Sequence, residues 1–502
     1  MLIFLEGGFR AAQDLSWSSL MQIMKYVLDH TGKPYAKLFE DISAIPRGSF
    51  KEEKIADFVC SFAADLGLEY HRDEANNIVV RKPASPGFED HEVVMLQGHM
   101  DMIWNKRPGS TFDFEHEGIQ LVVRDGFLMA EETTCGSDDG VAVAYMLAVL
   151  QDRTLKHPPL ECVFTTAEEP GLYGVEHFDC SQLKARKYIN MDGNLEGTSL
   201  LVAAGAANGR FTKSFRREEA GAYTELTIHV HGLTGAHVQY QERQLANAIK
   251  VAARILYYIQ KAVPYRLISI DGGSITTIPT SCTAKIALAG ADLKAAKKIA
   301  EKIFQEVTFE HKESDPGMRL DLSSCQSTAS VVPEDAGNAI VSLLYMLPFG
   351  LVDTSLVFPN LPISSYSLET IDTSETAITW FYRPTSAITS KLLDMDEHTR
   401  ILAELYGVDY QVENYFYGHC VEGGSPLYQV YDEVWFEQNG EHIRPIGAHY
   451  GNEIGFFLRN MPWLDMILLV PTHYQAHTPD EKLDLASFDR CYRCLVEILA
   501  RI

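Results

Sequence analysis

At 502 residues, 46% hydrophobic and 22% charged, the chain has a globular composition and is too long for one ordinary core, so two or more domains are expected. A formal net charge of -25 argues against a nucleic acid or an anionic membrane as partner and leaves carboxylates to spare for holding cations. No run approaches the roughly 20 apolar residues of a membrane span, Glu6, Gly7 and Gly8 cut short the apolar start and predict no secretory leader, and nine scattered cysteines suit a reducing cytoplasm.

Residues 1–33 carry a weak helical pattern and read as an N-terminal extension. From Pro34 the pattern sharpens. Lys37 to Ala44 and Glu52 to Leu66 have helical apolar spacing, broken by Ile45-Pro-Arg-Gly48. Short strands are expected near Leu68 to His71 and Asn77 to Arg81, and a buried strand from Glu92 to Gly98. Val141 to Asp152 reads as a helix. Leu160 to Thr166 is a second buried strand, stopped by Pro170-Gly171, and Tyr188 to Asp192 a third. Strands alternating with helices indicate an α/β layered domain, whose reactive residues gather at the carboxyl ends of the strands.

Ala203 to Arg210 turns small and polar and is taken as a domain crossing. Beyond it the strands (Tyr223 to His231, Arg266 to Ile270, Ser281 to Leu288, Thr376 to Tyr382) mix with helices (Ala246 to Ala262, Leu293 to Val307, Asp335 to Met346, Ser386 to Tyr406) without strict βαβ order. An α+β insert over 211–416 follows, conceivable as a doubled unit. From about Tyr417 the first pattern returns, with helices at Pro426 to Asn439 and near Gly451 to Leu458, and a strand at Met466 to Val470. The expected layout is thus a first catalytic part over 34–210, an inserted domain over 211–416 and a second catalytic part over 417–502. Cys491 and Cys494 share an amphipathic helical pattern from Ala486 to Ile502 with no second pair nearby, which favours core packing over a metal or redox motif.

Five sites share one form, a metal-competent group at the end of an apolar strand or in the turn beyond it: His99-Met-Asp101, Asp138-Asp139, Glu168-Glu169, Asp192 and His477. Singly each has a plain explanation. Asp138 and Asp139 could cap the following helix, and Asp192-Gly193 could be a turn. Together they set two histidines and several carboxylates on the rim of one sheet. That inventory suits two divalent cations about 3.5–4 Å apart, bridged by one carboxylate and a water. Zinc fits mixed histidine and carboxylate ligands, and manganese or cobalt overlaps with it. In His-x-Asp, residues two apart on extended chain face the same way, so Asp101 can accept the second ring N–H of His99 and orient it. Neighbours on extended chain point apart, so one of Glu168 and Glu169 can ligate while the other takes a proton from the water.

The stretches Leu96-Gln-Gly-His-Met-Asp101, Thr133-Thr-Cys-Gly-Ser-Asp-Asp-Gly140, Thr165-Thr-Ala-Glu-Glu-Pro-Gly171 and His477-Thr-Pro-Asp-Glu481 resemble the di-zinc peptidases related to aminoacylase and carboxypeptidase G. More narrowly they resemble the aminoacyl-histidine (Xaa-His) dipeptidases. The likeness runs from about Pro34 to the carboxyl end. It implies that His99 and Asp192 bind one metal, Glu169 and His477 the other, that Asp138 bridges them, that Asp101 orients His99 and that Glu168 is the general base. It implies a catalytic domain with a mixed, mostly parallel sheet between helices, interrupted by a large α+β lid. On the lid, Gly235-Ala-His237 resembles a segment whose histidine polarises the scissile carbonyl. Arg383, in Phe-Tyr-Arg-Pro-Thr-Ser, matches an arginine that holds a substrate carboxylate, and Ala448-His449-Tyr-Gly-Asn-Glu453 a segment lining the site.

Three departures stand out: Asp139 replaces the usual asparagine after the bridging aspartate, Val238-Gln239 replaces Ser-Gly after His237, and Tyr415-Phe-Tyr-Gly-His419 replaces a Tyr-Pro-Gly-Trp-like stretch. The resemblance implies a cytoplasmic metallo-dipeptidase acting on a small dipeptide, as monomer or homodimer. Two other readings share the same residues: deacylation of N-acyl amino acids, and a catalytically silent metal-binding relative.

Overall fold

A computed structural model describes residues 26–28, 31–421 and 423–502; the expected N-terminal extension lies almost wholly outside them. By closeness in space the described residues divide into two compact units, one of those up to Leu200 with 423–445 and Phe457–Ile502, the other of Leu201–Val421 and Ile446–Phe456. The architecture is mixed α/β.

Among the described residues of the first unit, six strands form one sheet in the order Glu69–Arg72, Ile78–Lys82, Leu160–Thr165, Val94–His99, Lys187–Asn190, Asp465–Leu468. The last four run parallel, and the first two join antiparallel at one side. Leu160–Thr165 and Val94–His99 are buried along their whole length, as expected for central strands covered on both faces. Helix Ser137–Gln151, apolar on nearly every side and buried, packs against Val94–His99. A Cβ at Gly98 would come within 2.3 Å of Ala142 Cβ and of Asp139 Oδ2, so only glycine admits the helix this close. Helices Pro34–Ser43, Ser137–Gln151 and Leu485–Arg501 meet through Tyr35, Tyr145, Phe488 and Tyr492, with Tyr145 stacked on Phe488 at 5.0 Å. Cys491 and Cys494 are fully buried in the last of these. They are packing residues, and the nine cysteines are all free.

The second unit is built on one antiparallel sheet of nine strands among its described residues, with Gly350–Thr354 paired to Pro362–Thr373 off the main path. Helices Ala248–Gln260, Leu293–Glu310, Glu334–Met346 and Thr389–Leu405 accompany it, and one core holds Trp380 stacked on Phe211 at 4.9 Å. Ala203 to Arg210, read as a domain crossing, is occupied by strands Thr198–Ala203 and Gly205–Ser214, and the division between the units falls just before it, at Leu200 and Leu201. Its small residues answer to packing, since a Cβ at Gly205 would lie 2.3 Å from the Gly418 nitrogen and one at Gly209 would lie 2.4 Å from the Tyr410 ring. No helix among the described residues is long and apolar enough to cross a membrane.

Candidate metal centre and active site

Three parallel strands deliver the acids and one histidine to the same edge. His99 ends Val94–His99 opposite Thr165 in register. Glu168 and Glu169 follow Thr165, and Asp192 follows Lys187–Asn190. Asp138 and Asp139, in the first turn of Ser137–Gln151, have non-helical backbone angles and a cis peptide between them; continuous helix follows them, close to the expected start at Val141. His477 comes from the loop between His473–Tyr474 and Lys482–Asp484, which a four-stranded antiparallel sheet fixes to the same unit.

The Asp138 carboxylate lies between the two histidines, one oxygen to each. Oδ1 is 3.2 Å from His99 Nε2 and Oδ2 is 3.2 Å from His477 Nε2. His477 Nε2 is also 2.9 Å from Glu169 Oε2. One ligand atom from each of His99, Asp138 and Glu169 falls within 4.8 Å of the others. Asp192 is half-buried and close enough to feel the charges of Asp138, His99 and His477. Glu168 Oε2 is 4.0 Å from His99 Nε2.

Asp101, fully buried, lies 3.3 Å from His99 Nδ1 and accepts from Ser49 Oγ at 2.8 Å. It also accepts the backbone N–H groups of Glu168 and Glu169, at 3.2 and 3.3 Å. One carboxylate thus positions a histidine and both acids. Contrary to expectation, Glu168 and Glu169 do not lie on extended strand, because the strand ends at Thr165. Ala167 (φ 46°) turns through the left-handed region, which a non-glycine residue enters only when its surroundings impose it. Its N–H is held by Glu52 Oε1 at 2.9 Å.

The electrostatics are those of a site built for positive charge. Burial pushes the Asp192 carboxyl up to about 6, with Asp138 adding to the rise. Burial and then Asp138 raise Glu169 as well. Burial opposes the charge on Asp138, yet hydrogen bonds from His477 and His99 hold it well below the usual carboxylate range. The hydrogen bonds that His477 donates to Asp138 and Glu169 lift its pKa to about 11. Buried carboxylates crowded this way need cations near them, and Glu169 Oε1 is buried with no hydrogen-bond partner. Histidine and carboxylate donors around a shared Asp138 fit a pair of borderline divalent ions.

Residues 95–501 match peptidase family M20/M25/M40. The chain belongs to that family. It is 27% identical over 473 residues to the cytosol non-specific dipeptidase of Escherichia coli (strain K12), covering 94% of this chain and 98% of the relative. It also superposes on the crystal structure of aminoacylhistidine dipeptidase from Vibrio alginolyticus with a TM-score of 0.83 and 26% identity, covering 93% of this chain and 96% of that one. This M20 chain is a peptide-bond hydrolase.

Sequence reasoning missed the supports of the M20 site. Glu481 accepts the backbone N–H groups of Cys135, Gly136, Ser137 and Asp138 at 2.8–3.3 Å, and Ser137 Oγ at 2.5 Å. Arg47, read only as part of a break between helices, is buried and donates to the carbonyls of Met100, Asp101 and Gly136 at 3.0, 3.1 and 2.6 Å. His473 Nε2 bonds the Gly193 carbonyl at 2.5 Å beside Asp192. The signal for Glu481 was its place at the end of the His477 motif. Arg47 left none, because a buried arginine and a surface one are spelled alike.

The remaining candidates belong to the second unit. His237 lies in a turn, its Nδ1 accepting from Gln239 N at 3.3 Å, and burial and then Arg383 lower its pKa. Arg383 Nε lies 3.0 Å from Oε1 of the fully buried Glu369. His449 Nε2 is 2.7 Å from Ser365 Oγ.

Proposed function

We propose that the chain is a dinuclear metal-dependent dipeptidase that cleaves short peptides, Xaa-His dipeptides among them. The observation that carries this reading is Asp138, with one oxygen toward His99 and the other toward His477. His99 and Asp192 would hold one ion, Glu169 and His477 the other, and Asp138 both. Two divalent cations there, zinc first and manganese or cobalt as alternatives, would polarise the scissile carbonyl and lower the pKa of water.

The chain's own groups do the rest. Glu168 takes the proton of the attacking water and returns it to the leaving amine. Asp101 keeps His99 in one tautomer and holds the two acids by their backbone N–H groups. His237 donates toward the developing oxyanion, Arg383 pairs with the substrate carboxylate, and His449 lines the pocket. By the family resemblance the second unit would serve as the lid. The dipeptide preference is supported by the likeness to the Vibrio alginolyticus enzyme, and a cytoplasmic setting by nine free cysteines. The protein works as monomer or homodimer.

Replacing Glu168 by Ala should retain the metal and lower kcat by about 10²–10⁴, read by elemental analysis beside turnover of a dipeptide panel. Substantial turnover by this variant would reject the base assignment. Faster hydrolysis of an N-acyl amino acid than of any dipeptide by the parent enzyme would instead favour deacylation.

A further inference from the structure

The outer face of the nine-stranded sheet carries a second group of metal-competent side chains that the peptidase reading does not use. Along Tyr223–His231, Leu226, Ile228 and Val230 point into the core, while Glu225, Thr227, His229 and His231 are half-buried on the other face. His229 and His231 are two residues apart and share that face, with ring centroids 4.5 Å apart and planes 19° from parallel. On the neighbouring strand Arg319–Ser327, Asp321 lies directly opposite His229 in the antiparallel register. Its Oδ2 is 2.9 Å from His231 Nε2. His229 Nε2 is 3.0 Å from Ser281 Oγ, which orients the ring.

We propose that His229, His231 and Asp321 bind one divalent transition cation of the zinc, nickel or copper class, at a site independent of the one built on Asp138. One ligand atom from each of the three already lies within 4.8 Å of the others. Metal–nitrogen bonds of about 2.0–2.1 Å require ligand atoms roughly 3.3 Å apart in a tetrahedral site. Closing that gap calls for side-chain rotation of the two histidines and of Asp321, whose side chain is 72% exposed. Tyr223–His231 is hydrogen-bonded on both sides, to Cys282–Leu288 and to Arg319–Ser327, so the histidine pair is presented on a rigid support. Two imidazoles and one carboxylate select borderline cations over magnesium or calcium, which prefer oxygen ligands throughout. Arg319 stands opposite His231 in the same register, so retention depends on direct metal–ligand bonds rather than on a diffuse negative field. Three protein ligands leave the remaining coordination to water.

The test is calorimetric titration of Ni²⁺ into the purified enzyme after dialysis against metal-free buffer, with zinc and nickel measured in the same samples. The parent protein should take up one Ni²⁺ per chain without losing zinc. His231→Asn and Asp321→Asn should each weaken that uptake at least tenfold. Circular dichroism and Tm recorded before nickel is added establish that the variants are folded, and Asp321→Asn, at an exposed position, keeps the test open should His231→Asn fail to fold. The proposal is overturned if the parent binds no nickel, if nickel enters only as zinc leaves, or if the folded variants bind nickel as the parent does.

Discussion

At the scale of single residues, buried carboxylates hold the site together. Glu481 gathers four consecutive backbone N–H groups leading into Asp138, and a neutral side chain would leave that turn with weaker bonds. Glu481→Gln should therefore weaken metal binding by about 10–100-fold, the usual effect of losing a group that orients a ligand, as measured by competition with a chromophoric chelator. Unchanged affinity would remove Glu481 from the site's support. His449 offers a pH test. Burial lowers its pKa to about 4 from the ordinary 6.5. The folded protein then refuses a proton that the unfolded chain accepts, so stability is intact above pH 6.5 and falls as pH drops toward 4. The loss is at most roughly 3 kcal/mol. Urea unfolding of His449→Gln across this window should show a shallower acid decline than the parent; parallel declines would exclude His449 as the cause.

At the scale of elements, the join between Val94–His99 and helix Ser137–Gln151 decides the geometry. Gly98→Ala would drive a methyl group into Ala142 and the Asp139 carboxylate, and Asp139 Oδ2 accepts the His99 N–H at 3.2 Å. Overpacking of this kind costs about 1–3 kcal/mol. The variant should show a lower urea midpoint together with reduced metal content, and a parent-like value of both would contradict the close fit. Elements of this type were largely legible in the sequence. The buried strands ending at His99 and Thr165 carry short apolar runs, Val94-Met-Leu96 and Cys162-Val-Phe164, and helix Pro426–Asn439 follows its Ser425 cap and Pro426 start within the expected bounds. Less was legible where small or polar residues serve a sheet. Arg319–Ser327 is exposed along most of its length and shows only a weak alternation, and Gly205–Ser214 was hidden by glycines that exist for packing. The turn at Ala167 could not be foreseen either, since its left-handed backbone is imposed by Glu52 and Asp101 from distant parts of the chain.

At the scale of the whole molecule, folding assembles residues from 99 to 477 in one pocket. Bound ions should therefore stabilise the protein as ligands that bind only the native state. At a free metal concentration 100 times Kd that amounts to about 2.7 kcal/mol per site, so chelation should lower Tm measurably and restored metal should raise it again. A Tm indifferent to chelator would mean the pocket does not need cations to offset its carboxylates. The motifs foretold which residues come together because each chemistry-bearing group sits at the end of an element with a strong local signal. The second unit's residues were less legible, since His237, Arg383 and His449 lie in or beside segments whose partners, Glu369 and Ser365, are set by sheet register alone. On the proposed reading, two metal ions held around Asp138 make this M20 chain a peptidase. Reconstitution of the chelated enzyme by stepwise addition of Zn²⁺, with dipeptide hydrolysis followed at each step, tests it most directly. Activity should be absent without metal and reach its plateau at two equivalents per chain, and full turnover by the metal-free protein would contradict the account.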